Sequence, residues 1–226
     1  MPRIARVAAG GMIQHVLNRG NGRMKLFHKP ADYNAFVDLL ADTAEKVPGV
    51  RLLGYCLMPN HWHLILWPRE TGELSAYMRW LSNTHVRRWR QHGHSVGQGH
   101  VYQGRFKSFP VQDDRHYLTL LRYVEANPLR AKLVRRAERW AWSSRSATKS
   151  PDGRELLSAG PLPRPANWPE IVNEPLSDKD LSLAKLSVKR GRPFGDPAWV
   201  RRTAERLGLG FTLRERGRPK KDIEEC

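Results

Sequence analysis

The chain has 226 residues, 40% of them hydrophobic and eight of them tryptophan, enough for one substantial core with an appendage or for two small domains. Thirty-nine Lys and Arg against 22 Asp and Glu leave a formal net charge of +17. That is far beyond what solubility needs and points to a polyanion, nucleic acid first. No apolar run approaches the ~20 residues of a membrane helix, the start Met1-Pro2-Arg3-Ile4-Ala5-Arg6 lacks a secretory h-region, and Cys56 and Cys226 spell neither a disulfide framework nor a zinc site, so a cytoplasmic protein is expected.

In chain order, residues 11–17 (GMIQHVL) read as a first strand, closed by the turn formers Asn18-Arg19-Gly20-Asn21-Gly22. Residues 31–47 place Phe36, Val37, Leu39, Leu40 and Ala44 at helical spacing, and Pro48-Gly49 ends that helix. Residues 50–58 and 61–67 are two strands joined at Pro59-Asn60 as a hairpin. Residues 73–91 carry a second amphipathic helix, with His85 read as packing and Arg79, Arg87 and Arg88 on its charged exterior. Residues 91–99 are loop; His92, His94 and His100 around it lack a rigid frame and are not assigned a metal. Residues 103–112 make a fourth strand in which Pro110 marks an edge or a strand end, and Asp113 or Asp114 caps a third helix that reaches Ala126. The order β-α-β-β-α-β plus a helix predicts an α+β fold: a ferredoxin-like, split βαβ antiparallel sheet with its helices on one face.

Chemistry concentrates in a few places. His61 and His63 alternate in a strand, so their imidazoles share a face with Cα atoms about 7 Å apart. They are either two ligands of one metal ion or two surface histidines on the polar side of a half-buried strand. Tyr123 and Asn127 lie one turn apart on the third helix. Tyr123 is either a nucleophile, if the electrophile is polarised, or a helix tyrosine packed on the sheet. Asn127 is either a hard oxygen ligand or a helix stop before Pro128. Arg105 and Lys107 alternate around Phe106, facing a phosphate backbone or simply solvent at an edge. Arg122 and Arg130 bracket the tyrosine and are candidates of the same kind.

Taken together, Met58-Pro59-Asn60-His61-Trp62-His63, Gly104-Arg105-Phe106-Lys107-Ser108 and Tyr123-Val124-Glu125-Ala126-Asn127-Pro128-Leu129-Arg130-Ala131 resemble the single-tyrosine HUH transposases. More closely, they resemble the REP-associated tyrosine transposases, relatives of the IS200/IS605 enzymes, and the likeness runs over residues 11–134. The resemblance implies an HUH nuclease fold with His61 and His63 as metal ligands, Asn127 as the third ligand, Tyr123 as nucleophile, and Mg²⁺ or Mn²⁺ as the ion. It also implies cleavage and rejoining of single-stranded DNA near hairpin-forming repeats through a 5′-phosphotyrosine, in a nucleoid-associated protein. The same scaffold could instead serve as a catalytically silent DNA-binding regulator, or hydrolyse DNA with water while Tyr123 stays structural. A monomer is favoured over a homodimer.

The texture changes after about Trp140. Residues 1–147 are expected to be the catalytic domain, 148–180 a Pro- and Ser-rich linker, and 181–226 a basic DNA-binding tail. Helices are predicted over 181–188 and from Asp196 to Leu207. Arg190-Gly191-Arg192-Pro193 and Arg216-Gly217-Arg218-Pro219 flank the second of these and resemble the AT-hook core, in which arginine enters a narrow minor groove. On this expectation, a chain ending near Ala147 still cleaves and binds DNA more weakly.

Overall fold

Strand β1 (Ile13–Arg19), helix α1 (Pro30–Lys46), strands β2 (Val50–Met58) and β3 (His61–Pro68), helix α2 (Glu73–Gln91) and strand β4 (Lys107–Val111) follow in the expected order. The computed structural model describes residues 9–92 and 99–214. Its sheet has the strand order β2-β3-β1-β4, every neighbouring pair antiparallel, which is the ferredoxin-like α+β arrangement. Helices α3 (Arg115–Glu125), α4 (Asn127–Arg130), α5 (Trp168–Asn173), α6 (Asp178–Arg190) and α7 (Pro197–Arg206) complete it.

Local chemistry accounts for the boundaries. Pro30 opens α1 at a position that needs no N–H, while the Asp32 carboxylate accepts from the His28 and Lys29 amides. Asp114 caps α3 by accepting from the His116 amide. Strand β1 runs two residues further than the turn formers suggested, because Asn18 and Arg19 still have partners on β3, Trp62 and His61. Strand β4 is shorter than expected and is an edge, as Pro110 indicated. The edge is partly covered: the Pro110 carbonyl accepts from the Phe194 amide, and the Phe194 carbonyl accepts from Gln112.

Side-chain alternation divides the core between the two faces of the sheet. Val16, Leu52, Tyr55, Leu57, Trp62, Leu64 and Leu66 pack with α1 and α2 residues such as Phe36, Leu40 and Leu81. Leu17, Leu53, Cys56, Ile65 and Phe109 point the other way and pack with Leu120, Leu121 and Val124 of α3. The expectation of helices on one face therefore holds for α1 and α2, whereas α3 covers the second face. Gly54 permits its approach, since a Cβ there would lie 2.4 Å from Leu121 Cδ1.

Within the described residues, parts of the expected linker and tail pack against the catalytic core. Trp168 and Val172 of α5, Ala184 of α6 and Phe194 are buried in the same core as α3. The Glu125 carboxylate, fully buried, accepts from Ser144 Oγ at 2.7 Å, Trp168 Nε1 at 2.7 Å and Arg164 Nη2 at 3.2 Å. The Ser, Pro and Gly content of residues 148–180 sets an irregular path, but its tryptophan and aliphatic side chains still find apolar surface on α3. A chain ended near Ala147 would lose Arg164 and Trp168 and leave a buried carboxylate short of partners, so retained cleavage is no longer the expectation.

Candidate active site

The β3 face turned towards α3 carries His61 and His63, with ring centroids 5.1 Å apart and planes at 84°. His61 Nδ1 lies 2.7 Å from Asn60 Oδ1, and the Asn60 amide is oriented by donating from Nδ2 to the Arg23 carbonyl. Because that oxygen only accepts, the His61 proton sits on Nδ1 and its Nε2 keeps a lone pair. His63, buried, has Nδ1 2.9 Å from Nε2 of His15, and the two rings stack. Burial first, and the Arg19 charge second, lower the His61 pKa to about 4. Burial, followed by neighbouring His15 and His61, holds His63 well below its ordinary value. Both imidazoles are therefore neutral at physiological pH, as metal ligation requires.

Tyr123 meets this pair from α3. Its ring is edge-on to His63 at 6.3 Å between centroids, and the Arg130 guanidinium carbon lies 4.1 Å from the Tyr123 centroid. Arg130 Nη1 is buried with no hydrogen-bond partner in the described residues. Tyr123 forms part of the wall of an open cleft of about 440 Å³, which is also lined by Arg19 of β1, Arg105, Lys107 of β4, and Lys185 and Lys189 of α6. A concave surface with five cations beside a phenol suits a phosphate-bearing ligand.

The other residues read from the sequence fall in different places. Asn127 opens α4, where its carbonyl accepts from the Ala131 amide; its side chain makes no hydrogen bond or ring contact with the histidines among the described residues. Arg122 donates to the carbonyls of Glu174 and Pro175, so its guanidinium ties α3 to the chain between α5 and α6. Arg190 ends α6 and donates to the Arg214 carbonyl. Gly191 caps that helix with φ +71°, Arg192 is half-buried, and Pro193 and Phe194 are buried. The first Arg-Gly-Arg-Pro segment is thus a helix end packed on β4, not an extended AT-hook strand. Arg216 and Arg218 of the second lie outside the described residues, as does His94. His85 is a packing residue, buried with Nδ1 2.6 Å from the Tyr102 hydroxyl.

Sequence reasoning passed over His15, Arg19, Lys185 and Lys189. His15 and Arg19 alternate with Leu17 on the β1 side that faces His61 and His63, but only the strand register reveals this. Lys185 and Lys189 are four apart on α6, a spacing that marks one basic face, but the predicted helix ended at 188, one residue short of Lys189.

The donor set fits a divalent ion: both imidazoles are neutral, His61 keeps Nε2 available because Asn60 Oδ1 holds its Nδ1, and His63 Nδ1 is engaged by His15 Nε2. A second group of possible ligands, Asp114, His116 and Asp196, lies within metal-ligand spacing. Its contacts already serve the fold, with Asp114 capping α3 and the Asp196 amide donating to Gln112 Oε1. His116 precedes Tyr123 by seven residues, about 10 Å along a helix, so this cluster does not share the tyrosine's site.

The α+β scaffold sets a tyrosine beside two neutral imidazoles at the edge of a cationic cleft, an arrangement suited to a phosphate-bearing ligand. The family model "Transposase IS200 like" matches residues 9–127, more than half of the chain, and the chain belongs to that family. As a transposase it has DNA cleavage and transfer as its class of activity. Its fold is that of a REP-associated tyrosine transposase solved in complex with a REP hairpin (18% identity, TM-score 0.53, covering 71% of this chain and 92% of that one). A putative transposase from Deinococcus radiodurans is 17% identical, with a TM-score of 0.40, 55% of this chain covered and 96% of the other. No curated protein sequence matches this chain.

Proposed function

We propose that this transposase cuts and rejoins single-stranded DNA beside hairpin-forming repeats through a covalent link to Tyr123. The observation that carries the reading is the placement of Tyr123, against His63 on one side and open to the cation-lined cleft on the other. In the forward step the Tyr123 oxygen bonds to phosphorus and its proton passes to solvent. The bond from phosphorus to the 3′ oxygen breaks, that oxygen takes a proton from solvent, and the leaving strand departs as a 3′-hydroxyl. A second 3′-hydroxyl reverses the exchange without an external energy source, because the phosphotyrosine ester conserves the phosphodiester bond.

His61 and His63 would hold the divalent ion, Mg²⁺ or Mn²⁺, with Asn127 at the head of α4 as third donor. When bound, such an ion withdraws charge from the scissile phosphate. Arg130 stands at the Tyr123 ring with a buried Nη1 that has no partner among the described residues, a donor suited to a phosphate oxygen. Arg105 and Lys107, joined by Arg19, Lys185 and Lys189, would track the backbone of the strand. Tyr123 and His63 meet within one chain, which supports a monomer as the catalytic unit. The hairpin preference draws on the structural relative, which was solved bound to one.

Tyr123→Phe tests the reading. With labelled single-stranded oligonucleotides and Mn²⁺, the wild type is expected to give a denaturation-resistant protein–DNA band. The variant should give none while binding the same DNA within about twofold, since it lacks one hydroxyl outside the phosphate-binding set. A band that survives in the variant contradicts the assignment. Absence of any band from the wild type would leave a DNA-binding regulator, and free 5′-phosphate ends would indicate hydrolysis by water.

A further inference from the structure

His15 is buried at the centre of β1 and contacts His63 diagonally across the ladder, since Leu17 is the residue paired with His63 and Ile65 the one paired with His15. We infer that His15 is a positioning residue that fixes the tautomer and ring plane of His63, so that His63 Nε2 is presented as a lone pair to the metal ion. The inference rests on the reading of His61 and His63 as metal ligands.

Two neutral imidazoles joined through one hydrogen bond have two arrangements. If His15 Nε2 donates to His63 Nδ1, the His63 proton lies on Nε2, and that nitrogen has no lone pair to offer. If His63 Nδ1 donates to His15 Nε2, across the 2.9 Å between them, His63 Nε2 is open. Only the second arrangement makes His63 a ligand through Nε2. It carries a cost, because the His15 proton then sits on Nδ1, which is buried with no partner among the described residues. An apolar side chain between His63 and Phe109 would remove that unpaired nitrogen but leave the buried His63 Nδ1 without its partner. At this place His15 serves the imidazole it contacts.

The geometry holds the plane as well as the proton. The His15 and His63 rings stack at 5.0 Å and 24°, and Phe109 packs on His15 at 4.7 Å. His61 has a matching support of different chemistry, the Asn60 amide oxygen. Each candidate ligand thus has its Nδ1 engaged by a neighbouring side chain, Asn60 for His61 and His15 for His63, which is how outer contacts orient metal-bound imidazoles.

The test uses the full chain. In histidine-labelled wild type with Mg²⁺, long-range ¹H–¹⁵N spectra should show His63 protonated at Nδ1 and unprotonated at Nε2. Mn²⁺ affinity, read from the free-ion paramagnetic resonance signal, should fall by about tenfold or more in His15→Phe, the range seen when outer contacts are removed. His15→Gln, whose amide oxygen reaches the place of Nε2, should stay within about threefold of wild type. Wild-type Mn²⁺ affinity in His15→Phe, or a proton on His63 Nε2 in the Mg²⁺ form, overturns the inference. Should His15→Phe fail to fold, the wild-type tautomer decides. His63→Ala separates the two readings: if it binds Mn²⁺ as wild type does, the ligand assignment itself has failed. If it alone loses binding, only the role of His15 has.

Discussion

Tyr123 lies between an imidazole and a guanidinium, and the two neighbours serve different ends. His63 belongs to the proposed ion site, while Arg130 brings a permanent positive charge to the ring of the nucleophile. Arg130→Gln keeps polar atoms there and removes the charge. Adduct formation should slow by about 10²-fold, as when one transition-state donor is removed, with DNA affinity nearly unchanged. Gel-based single-turnover rates beside filter-binding measurements check this, and an equal loss in both would make Arg130 a simple strand contact. At this scale the sequence was informative wherever a motif is local. His61 and His63 declare their shared face by alternation, and Tyr123 and Arg130 fall in one continuous segment. His15 declared nothing, because its partner is reached across a strand pairing that only the register defines. Arg122 shows the converse: a basic residue next to the nucleophile whose hydrogen bonds go to the chain's own carbonyls.

Among the elements, α6 changes most between sequence and structure. Read as part of a separate tail, it instead packs its buried Ala184 into the α3 core and turns Lys185 and Lys189 into the cleft that Tyr123 lines. Replacing both lysines with alanine should weaken single-stranded DNA binding and flatten its salt dependence. Each lost phosphate contact lowers the slope of log K against log salt by about 0.7. An unchanged slope would remove α6 from the binding surface. The Arg-Gly-Arg-Pro resemblance at 190–193 misled because a tetrapeptide carries no context: its glycine is needed for a left-handed helix cap, φ +71°, and its proline is buried. The strands and the first three helices were legible because periodicity reports burial directly. The side of the sheet on which α3 lands was not, since a helical stripe says that it is buried but not against which face.

Over the whole molecule, two consequences follow from how much polar chemistry is buried. Burial lowers His15 to about 3, His61 to about 4 and His85 to about 3. Histidines of the unfolded chain titrate near 6.5. Below that pH the unfolded state binds more protons, so stability is complete above pH 6.5 and falls as the pH drops towards 4. The slope is up to about 1.4 kcal/mol per pH unit for each histidine. Urea unfolding midpoints should therefore drop clearly between pH 7 and pH 5, and a flat profile would contradict the buried neutral state. The second consequence concerns the segment that carries Arg164 and Trp168, whose removal should destabilise the core. A chain ended after Ala147 leaves Glu125 without Arg164 and Trp168, and should lose about 3–5 kcal/mol of stability from that charge alone. Thermal melts of the shortened chain check it, with wild-type behaviour as the contrary result. The split βαβ core was readable from element order; this wrap was not, because Ser, Pro and Gly content reports an irregular path and says nothing of where its tryptophan docks. The central claim, a covalent bond between Tyr123 and DNA, is open to one direct measurement. Digest the denatured protein–DNA adduct with protease and nuclease and read the peptides by mass spectrometry. The account predicts a nucleotide joined through a 5′-phosphate to the peptide that contains Tyr123; an adduct on any other residue contradicts it.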